Sequence, residues 1–238
     1  LEANVTTKTK HGWTVLDESE GALMFTYQFT KGATSNAMTA RLADGSLCVI
    51  SPPCRVEEGV MRDLEAFGPV RMLVATNAYH HLGLTSWSKI FPEAGIYAHP
   101  NAQKRIAKLH PTLNVQPIDA AEGSFNDQAR VLSVPGMRTG DLWLKAGRTW
   151  YVGDHFMNLQ EPLKGMFGFV FRVTNSAPGF KASALTRTLF TKDRKGFKRW
   201  ALEALNEQGP GRVVPGHGEL ANGGAVKALM QTQLETRF

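Results

Sequence analysis

The chain has little cysteine: Cys48 and Cys54 are the two in 238 residues. That excludes a disulfide framework and a cysteine-rich zinc site. Long apolar runs are missing as well, and nothing approaches the roughly 18 consecutive apolar residues of a membrane span. The opening residues, LEANVTTKTKHGW, lack the apolar stretch of a signal peptide. A cytoplasmic location with no membrane partner is the resulting expectation. Nucleotide and serine-hydrolase signatures are absent too. There is no P-loop and no Gly-x-Ser-x-Gly elbow, and Gly136-Met137-Arg138-Thr139-Gly140 is not a dinucleotide fingerprint. No repeat, low-complexity run or linker breaks the chain, so one domain over residues 1–238 is expected.

Acidic charge is in deficit, leaving a formal net charge of +6. Much of the excess lies in Lys181, Arg187, Lys192, Arg194, Lys195, Lys198 and Arg199, with Asp193 the one acid between them. Such a stripe suits a nucleic-acid backbone or, more simply, a solvated helix face. No aromatic–basic interleaving accompanies it, which favours the simpler reading.

The hydrophobic fraction, 42%, is enough for a full core. Its pattern changes along the chain. MFTYQFT (Met24 to Thr30) is rich in β-formers, and NAMTARLADGSLCVIS alternates on both sides of Asp44-Gly45, a hairpin signal. Val56, Val60, Met61, Leu64 and Phe67 then predict one helix ended by Gly68-Pro69. VRMLVAT, a helix with Trp87, Ile90 and Phe91, GIYAH, and a helix over Ala102 to Leu109 continue as β-α-β-α. The order repeats. ARVLSV, DLWLKA, RTWYVG and GFVFRV read as strands, and Phe197, Trp200, Ala201, Ala204 and Leu205 as a helix face. RVVP and a C-terminal helix begun by Asn222 complete it. Strands then helices, twice, predict an α/β fold with two mixed sheets face to face and helices outside, an αββα four-layer sandwich.

Four short segments follow predicted strands, where α/β folds place their chemistry. They are Thr76-Asn77-Ala78-Tyr79-His80-His81-Leu82-Gly83, Pro135-Gly136-Met137-Arg138-Thr139-Gly140-Asp141, Gly153-Asp154-His155 and Pro215-Gly216-His217-Gly218-Glu219. They hold four of the seven histidines. In order and spacing they resemble the metallo-β-lactamase superfamily, over roughly Met38 to Glu219. Its signature is T-H-x-H-x-D-H-x-G, then P-G-H-T-x-G, then G-D, then P-G-H-G. The last two elements match Gly153-Asp154 and Pro215-Gly216-His217-Gly218. The departures are selective: Asn77, Tyr79, Leu82 and Met137 stand where the signature has histidine, and His81 where it has aspartate. N-x-x-H-H-L (Asn77 to Leu82), with Arg148-Thr149 leading to Asp154 and Asn158, is also similar to an offshoot of that superfamily with no settled activity.

The resemblance implies that a binuclear zinc centre is lost. It implies that His81, Asp154 and His217 remain as ligands for one divalent ion, Zn²⁺, Mn²⁺ or Fe²⁺. Such an ion activates water for hydrolysis of an ester, lactone, amide or phosphoester. Asp154, His80 and Tyr79 are then the expected catalytic residues, with Tyr79 or Arg138 at the oxyanion and His80 or His155 as proton carrier. Asn77, Arg138, His155 and Asn158 are the expected contacts to a small-molecule substrate, Asn158 also orienting a ligand. The alternative is a metal-free binder of a small molecule or partner. There Asp154 and His217 bond each other, Asn77 bonds loop backbone, and Met137 and Leu82 fill the former cavity.

Overall fold

The computed structural model describes residues 7–160 and 173–238. A seven-stranded sheet keeps sequence order in space: β1 (Thr14–Asp17), β2 (Ala22–Thr30), β3 (Ala33–Arg41), β4 (Leu47–Ile50), β5 (Val70–Ala75), β6 (Gly95–Ala98) and β7 (Val115–Pro117). The first four strands are antiparallel and need only tight turns. At the Asp44-Gly45 hairpin the Asp44 carboxylate accepts the Ser46 N–H at 2.9 Å, and Gly45 takes φ 84°. From β4 to β7 the pairing is parallel and needs crossovers. These carry α1 (Glu58–Arg62), α2 (Leu84–Ile90) and α3 (Pro100–Leu109).

A five-stranded mixed sheet holds β8 (Ala129–Ser133), β9 (Leu142–Ala146), β10 (Thr149–Tyr151), β13 (Arg212–Val214) and β15 (Ala221–Asn222). A small third sheet, not anticipated from sequence, joins β11 (Phe156–Leu159), β12 (Gly179–Ala182) and β14 (His217–Gly218). Two longer helices follow, α4 (Arg194–Glu207) and α5 (Val226–Arg237).

Side-chain alternation sorts the core into three apolar layers. Leu47 and Val49 of β4 join Leu73, Trp87 and Ile106 between the first sheet and its helices. Cys48 and Ile50 point the other way and meet Leu142, Leu144 and Val214 of the second sheet. Trp143, between Leu142 and Leu144, faces outward with Trp150 and Val213 onto Phe197, Leu205, Met230 and Leu234 of α4 and α5. Three apolar layers between four structural layers give the expected α/β/β/α arrangement.

Two element boundaries differ from the sequence reading. The helix expected over Val56 to Phe67 is α-helical only through Arg62, then tightens to a 3-10 turn, Asp63–Ala66. The Val60 carbonyl accepts Trp13 Nε1–H at 2.7 Å, and the turn closes through Leu64 O. Asn222 does not begin the last helix. It pairs with Arg212 in the sheet, and the helix starts at Val226, beyond Gly223 at φ 110°. The GFVFRV run lies, except for Val173, outside the described residues. Part of the basic stretch is consumed by the fold: Arg187 and Lys198 donate to the Arg237 and Glu235 carbonyls at the end of α5, at 2.6 and 3.0 Å. No described helix is long and apolar enough to cross a membrane.

One side chain ties the sheets together beside the strand-end loops. Asn36, on β3 and fully buried, donates through Nδ2 to Pro215 O and Gly218 O, both at 2.8 Å, and its backbone N–H bonds Gly216 O at 2.9 Å. Its Oδ1 accepts Thr26 Oγ1–H. Asn36→Ala strips partners from two carbonyls in this staple, and a loss of about 1–3 kcal/mol in urea unfolding is expected. An unchanged midpoint would remove Asn36 as the tie.

Candidate metal centre

Three loops converge at the strand ends. After β5, Asn77 forms an Asx turn: its Oδ1 accepts the backbone N–H of Tyr79 at 2.8 Å and of His80 at 3.3 Å. After β10, Gly153 takes φ 56°, a conformation that favours glycine, and presents Asp154. After β13, Gly216 donates its N–H to Gly153 O at 2.7 Å and hands the chain to His217. A Cβ at position 216 would lie 2.6 Å from Asp154 Oδ1, so only glycine lets the two turns touch.

His80 Nε2 stands 3.2 Å from both Asp154 oxygens, and His217 Nε2 stands 3.3 Å from Asp154 Oδ1. One ligating atom from each of the three residues lies within 4.8 Å of the others. The far side of each imidazole is anchored. His217 Nδ1 is 2.6 Å from the Thr34 carbonyl, and His80 Nδ1 is 2.7 Å from Ser51 Oγ. A carbonyl only accepts, so His217 Nδ1 carries the proton and, in the neutral ring, Nε2 offers a lone pair to a carboxylate that also only accepts. That facing pair needs a cation between its atoms, either a proton or a metal ion. Ser51 differs, because its hydroxyl can donate or accept, so His80 can serve either state.

The donor set fits a metal. Two imidazole nitrogens and one carboxylate suit Zn²⁺, Mn²⁺ or Fe²⁺. Separations of 3.2 and 3.3 Å match the edge, about 3.3 Å, of a tetrahedron with bonds near 2.0–2.1 Å. Burial alone would raise the Asp154 carboxyl, but the charges and hydrogen bonds of His80 and His217 outweigh it and hold it well below the carboxylate range. Burial would likewise lower His217, yet the Asp154 bond and charge, with the Thr34 carbonyl, raise it. Asn77 Nδ2 donates to Asp154 Oδ2 at 3.1 Å and lies 3.3 Å from Asp141 Oδ1. Asp141 is buried, accepts Thr139 Oγ1–H, and is pushed up by that burial.

The sequence reading put His81 in this cluster, and the structure puts His80 there. His81 is buried, its Nδ1 2.7 Å from His110 Nε2, and burial followed by the charges of His110 and Arg105 pushes it down to about 4. His155 does not face the cleft either. It is fully buried, stacked on Phe197 and bonded to Trp143 Nε1–H. Asn158 donates to Glu219 O at 3.0 Å and braces the His217 turn rather than a ligand. Arg138 is exposed and not among the described residues lining the cleft. Asn77 is buried and bonds loop backbone. Tyr79 does line the cleft. Of the two expected cavity fillers, Met137 is buried under α4, while Leu82 is half-exposed at the cleft. Ser51, Thr34 and Asn36 were missed. Ser51 ends an apolar strand, a place the loop argument covers, whereas Thr34 acts through its backbone and leaves no sequence signal.

No family model matches the chain, and no curated protein matches it. Solved structures do. The DIM-1 metallo-β-lactamase is 14% identical, with 98% of this chain and 100% of that one covered, at a TM-score of 0.62. The FIM-1 metallo-β-lactamase from Pseudomonas aeruginosa, in its mono-zinc form, is 12% identical over 97% and 96%, at 0.58. A diflavin flavoprotein fragment from Nostoc sp. PCC 7120 is 16% identical over 90% of each chain, at 0.57. The chain therefore has the metallo-β-lactamase fold.

Two outcomes follow from this geometry. Zn²⁺ at a hundredfold excess over its Kd should stabilise the protein by about 2.7 kcal/mol. His80→Ala and His217→Ala should abolish that response, His81→Ala should keep it, and Ser51→Ala should weaken affinity about tenfold in calorimetric titration. Loss of the response in His81→Ala alone would reverse the ligand assignment. In metal-free protein, His217 lies above its ordinary 6.5. Its stabilisation is therefore complete below that value and fades as pH rises through the raised one. Asp154, held below 3.8, contributes above that value and loses its contribution only as pH falls through the depressed one. The melting-temperature gap between wild type and His217→Gln should accordingly shrink as pH rises above 6.5 and through the raised value; a constant gap contradicts the pairing.

Proposed function

We propose that this chain is a metal-dependent hydrolase that uses one divalent ion, Zn²⁺, Mn²⁺ or Fe²⁺, on His80, Asp154 and His217. The bond cleaved is that of an ester, lactone, amide or phosphoester. The convergence of three donor atoms, each imidazole anchored from behind, carries this reading, and the fold supports it. When bound, the ion polarises the scissile oxygen and lowers the pKa of water toward neutrality.

The chain's own groups do the rest. Thr34 and Ser51 fix the two rings, and Asn77 fixes the Asp154 carboxylate. Tyr79 brings a phenol to the cleft beside His80, where its hydroxyl can donate to the oxyanion as charge develops. Hydrolysis of an ester adds the water oxygen to the acyl carbon and releases the alkoxyl oxygen with a proton. With His80 a ligand and His155 walled in by aromatic rings, neither serves as the carrier expected from sequence. The cleft holds about 210 Å³. That is below the roughly 300–1,000 Å³ of drug-sized sites, so a small substrate arm fits.

One observation favours a second reading. Asp154 and His217 already form an ion pair that is complete with a proton, as in a metal-free binder of a small molecule. Metal content and turnover separate the two. Protein purified without chelator should carry stoichiometric metal and hydrolyse para-nitrophenyl acetate. Asp154→Asn should lose the metal and lower kcat on the order of a hundredfold. Metal-free protein that does not respond to Zn²⁺, Mn²⁺ or Fe²⁺ in melting temperature would end the hydrolase proposal.

A further inference from the structure

Above the polar floor of His80, Asp154 and His217, the cleft walls are apolar. Phe29 and Tyr27 rise on one side from β2 with the hydroxyl of Ser35 beside them on β3, and Tyr79, Leu82 and Phe190 line the other side. The walls are braced. The Phe29 ring packs on the His217 ring at 5.6 Å, and Tyr79 packs on Phe190 at 5.5 Å. Behind Tyr79 the Arg105 guanidinium lies 4.7 Å from the ring centroid, while its Nε donates to Ala78 O at 3.2 Å. Arg105 therefore holds the ring by a cation–π contact and does not itself line the cleft. Phe190 arrives on a five-residue π-helical turn, Thr186–Phe190. Thr186 Oγ1–H donates to Asp154 O at 2.7 Å, which fixes that turn to the loop bearing a proposed ligand.

Two of these side chains lie half-open to solvent: Tyr79 is 47% and Leu82 51% exposed. Apolar surface left open at the mouth of a polar-floored cleft is surface that a ligand can cover. Charge narrows the choice. A charge at the scissile group would meet the ion on the floor, but the described wall residues include no lysine or arginine, so a carboxylate on the arm would lose its hydration against Phe29, Leu82 and Phe190.

We infer that the cleft takes esters or lactones with a short, uncharged apolar acyl or aryl arm, the arm lying between Phe29 and the Tyr79–Leu82–Phe190 wall. This rests on the hydrolase reading and narrows it by fixing the character of the substrate's arm. Tyr79, Leu82 and Phe190 become specificity-determining residues, with Tyr79 contributing its ring as well as its hydroxyl.

Two measurements test it. Along para-nitrophenyl acetate, butanoate and hexanoate, kcat/KM of the metal-loaded enzyme should rise roughly fourfold per methylene, mostly through KM. Phe190→Ala and Leu82→Ala should flatten that slope. The mono-para-nitrophenyl ester of adipic acid, whose arm ends in a carboxylate, should be a poor substrate. A flat chain-length profile, or preference for the anionic ester, overturns the inference and leaves the hydrolase reading standing. If nothing is hydrolysed, the hydrolase reading fails and the arm site is still judged by para-nitrophenyl hexyl ether, which has no scissile acyl bond. Titration into the metal-free protein should show saturable binding that is weakened in Phe190→Ala. Absence of binding, or equal binding by the variant, overturns the inference.

Discussion

The site depends on one backbone contact. Gly216 N–H bonds Gly153 O at 2.7 Å, joining the turns that leave the neighbouring parallel strands β10 and β13. Parallel strands release their chains at the same edge of the sheet, so the two turns already start close together. Bringing them into contact requires that nothing project between them, and a Cβ at 216 would strike Asp154 Oδ1. The meeting of Asp154 and His217 is thus set by the sheet and by a missing side chain before either ionisable group acts. Asn36 and Ser35 hold the same turn from the opposite sheet, both reaching Gly216 O, so both sheets fix the position of one imidazole.

The electrostatics follow from who can donate. Thr34 offers a carbonyl, Asp154 offers carboxylate oxygens, and His217 stands between two acceptors with one proton in its neutral ring. The centre is therefore short of positive charge, and an ion or a second proton relieves it. His80 is less constrained, because Ser51 accommodates both tautomers. An Asn77 amide shared by Asp154 and the buried Asp141 gives the carboxylate a fixed orientation in either state. The same asparagine forms the turn that sends His80 to the floor and Tyr79 to the wall. Asn77, which stands where the signature that the sequence resembles has histidine, is thus a brace for the donors.

Much of this was legible in the sequence. Runs such as LCVI and LWLKA are apolar on both faces, as strands covered on both sides must be, and the strands-then-helices order, occurring twice, implied the four layers. The strand-end placement of Asp154 and His217 followed from the apolar runs that precede them and from the Gly-Asp and Pro-Gly-His-Gly steps. The helix at Glu58 was overestimated because its periodicity did not register that Trp13, far away in the chain, takes the Val60 carbonyl. The third sheet was missed because β14 has two residues and is defined only by its neighbour β11.

The amino-acid order by itself determined the layer architecture, the loops that carry chemistry and the departure from the histidine-rich signature that they resemble. These depend on periods of two and 3.6 residues and on local turn chemistry. Tertiary structure alone decided which of two adjacent histidines joins Asp154. In a turn, side-chain direction has no period, and neighbours remote in sequence settle it: Ser51 draws His80 to the floor, and His110 draws His81 away. It also decided that His155 belongs to the core, because the rings of Trp143 and Phe197 enclose it only once α4 has packed on the second sheet.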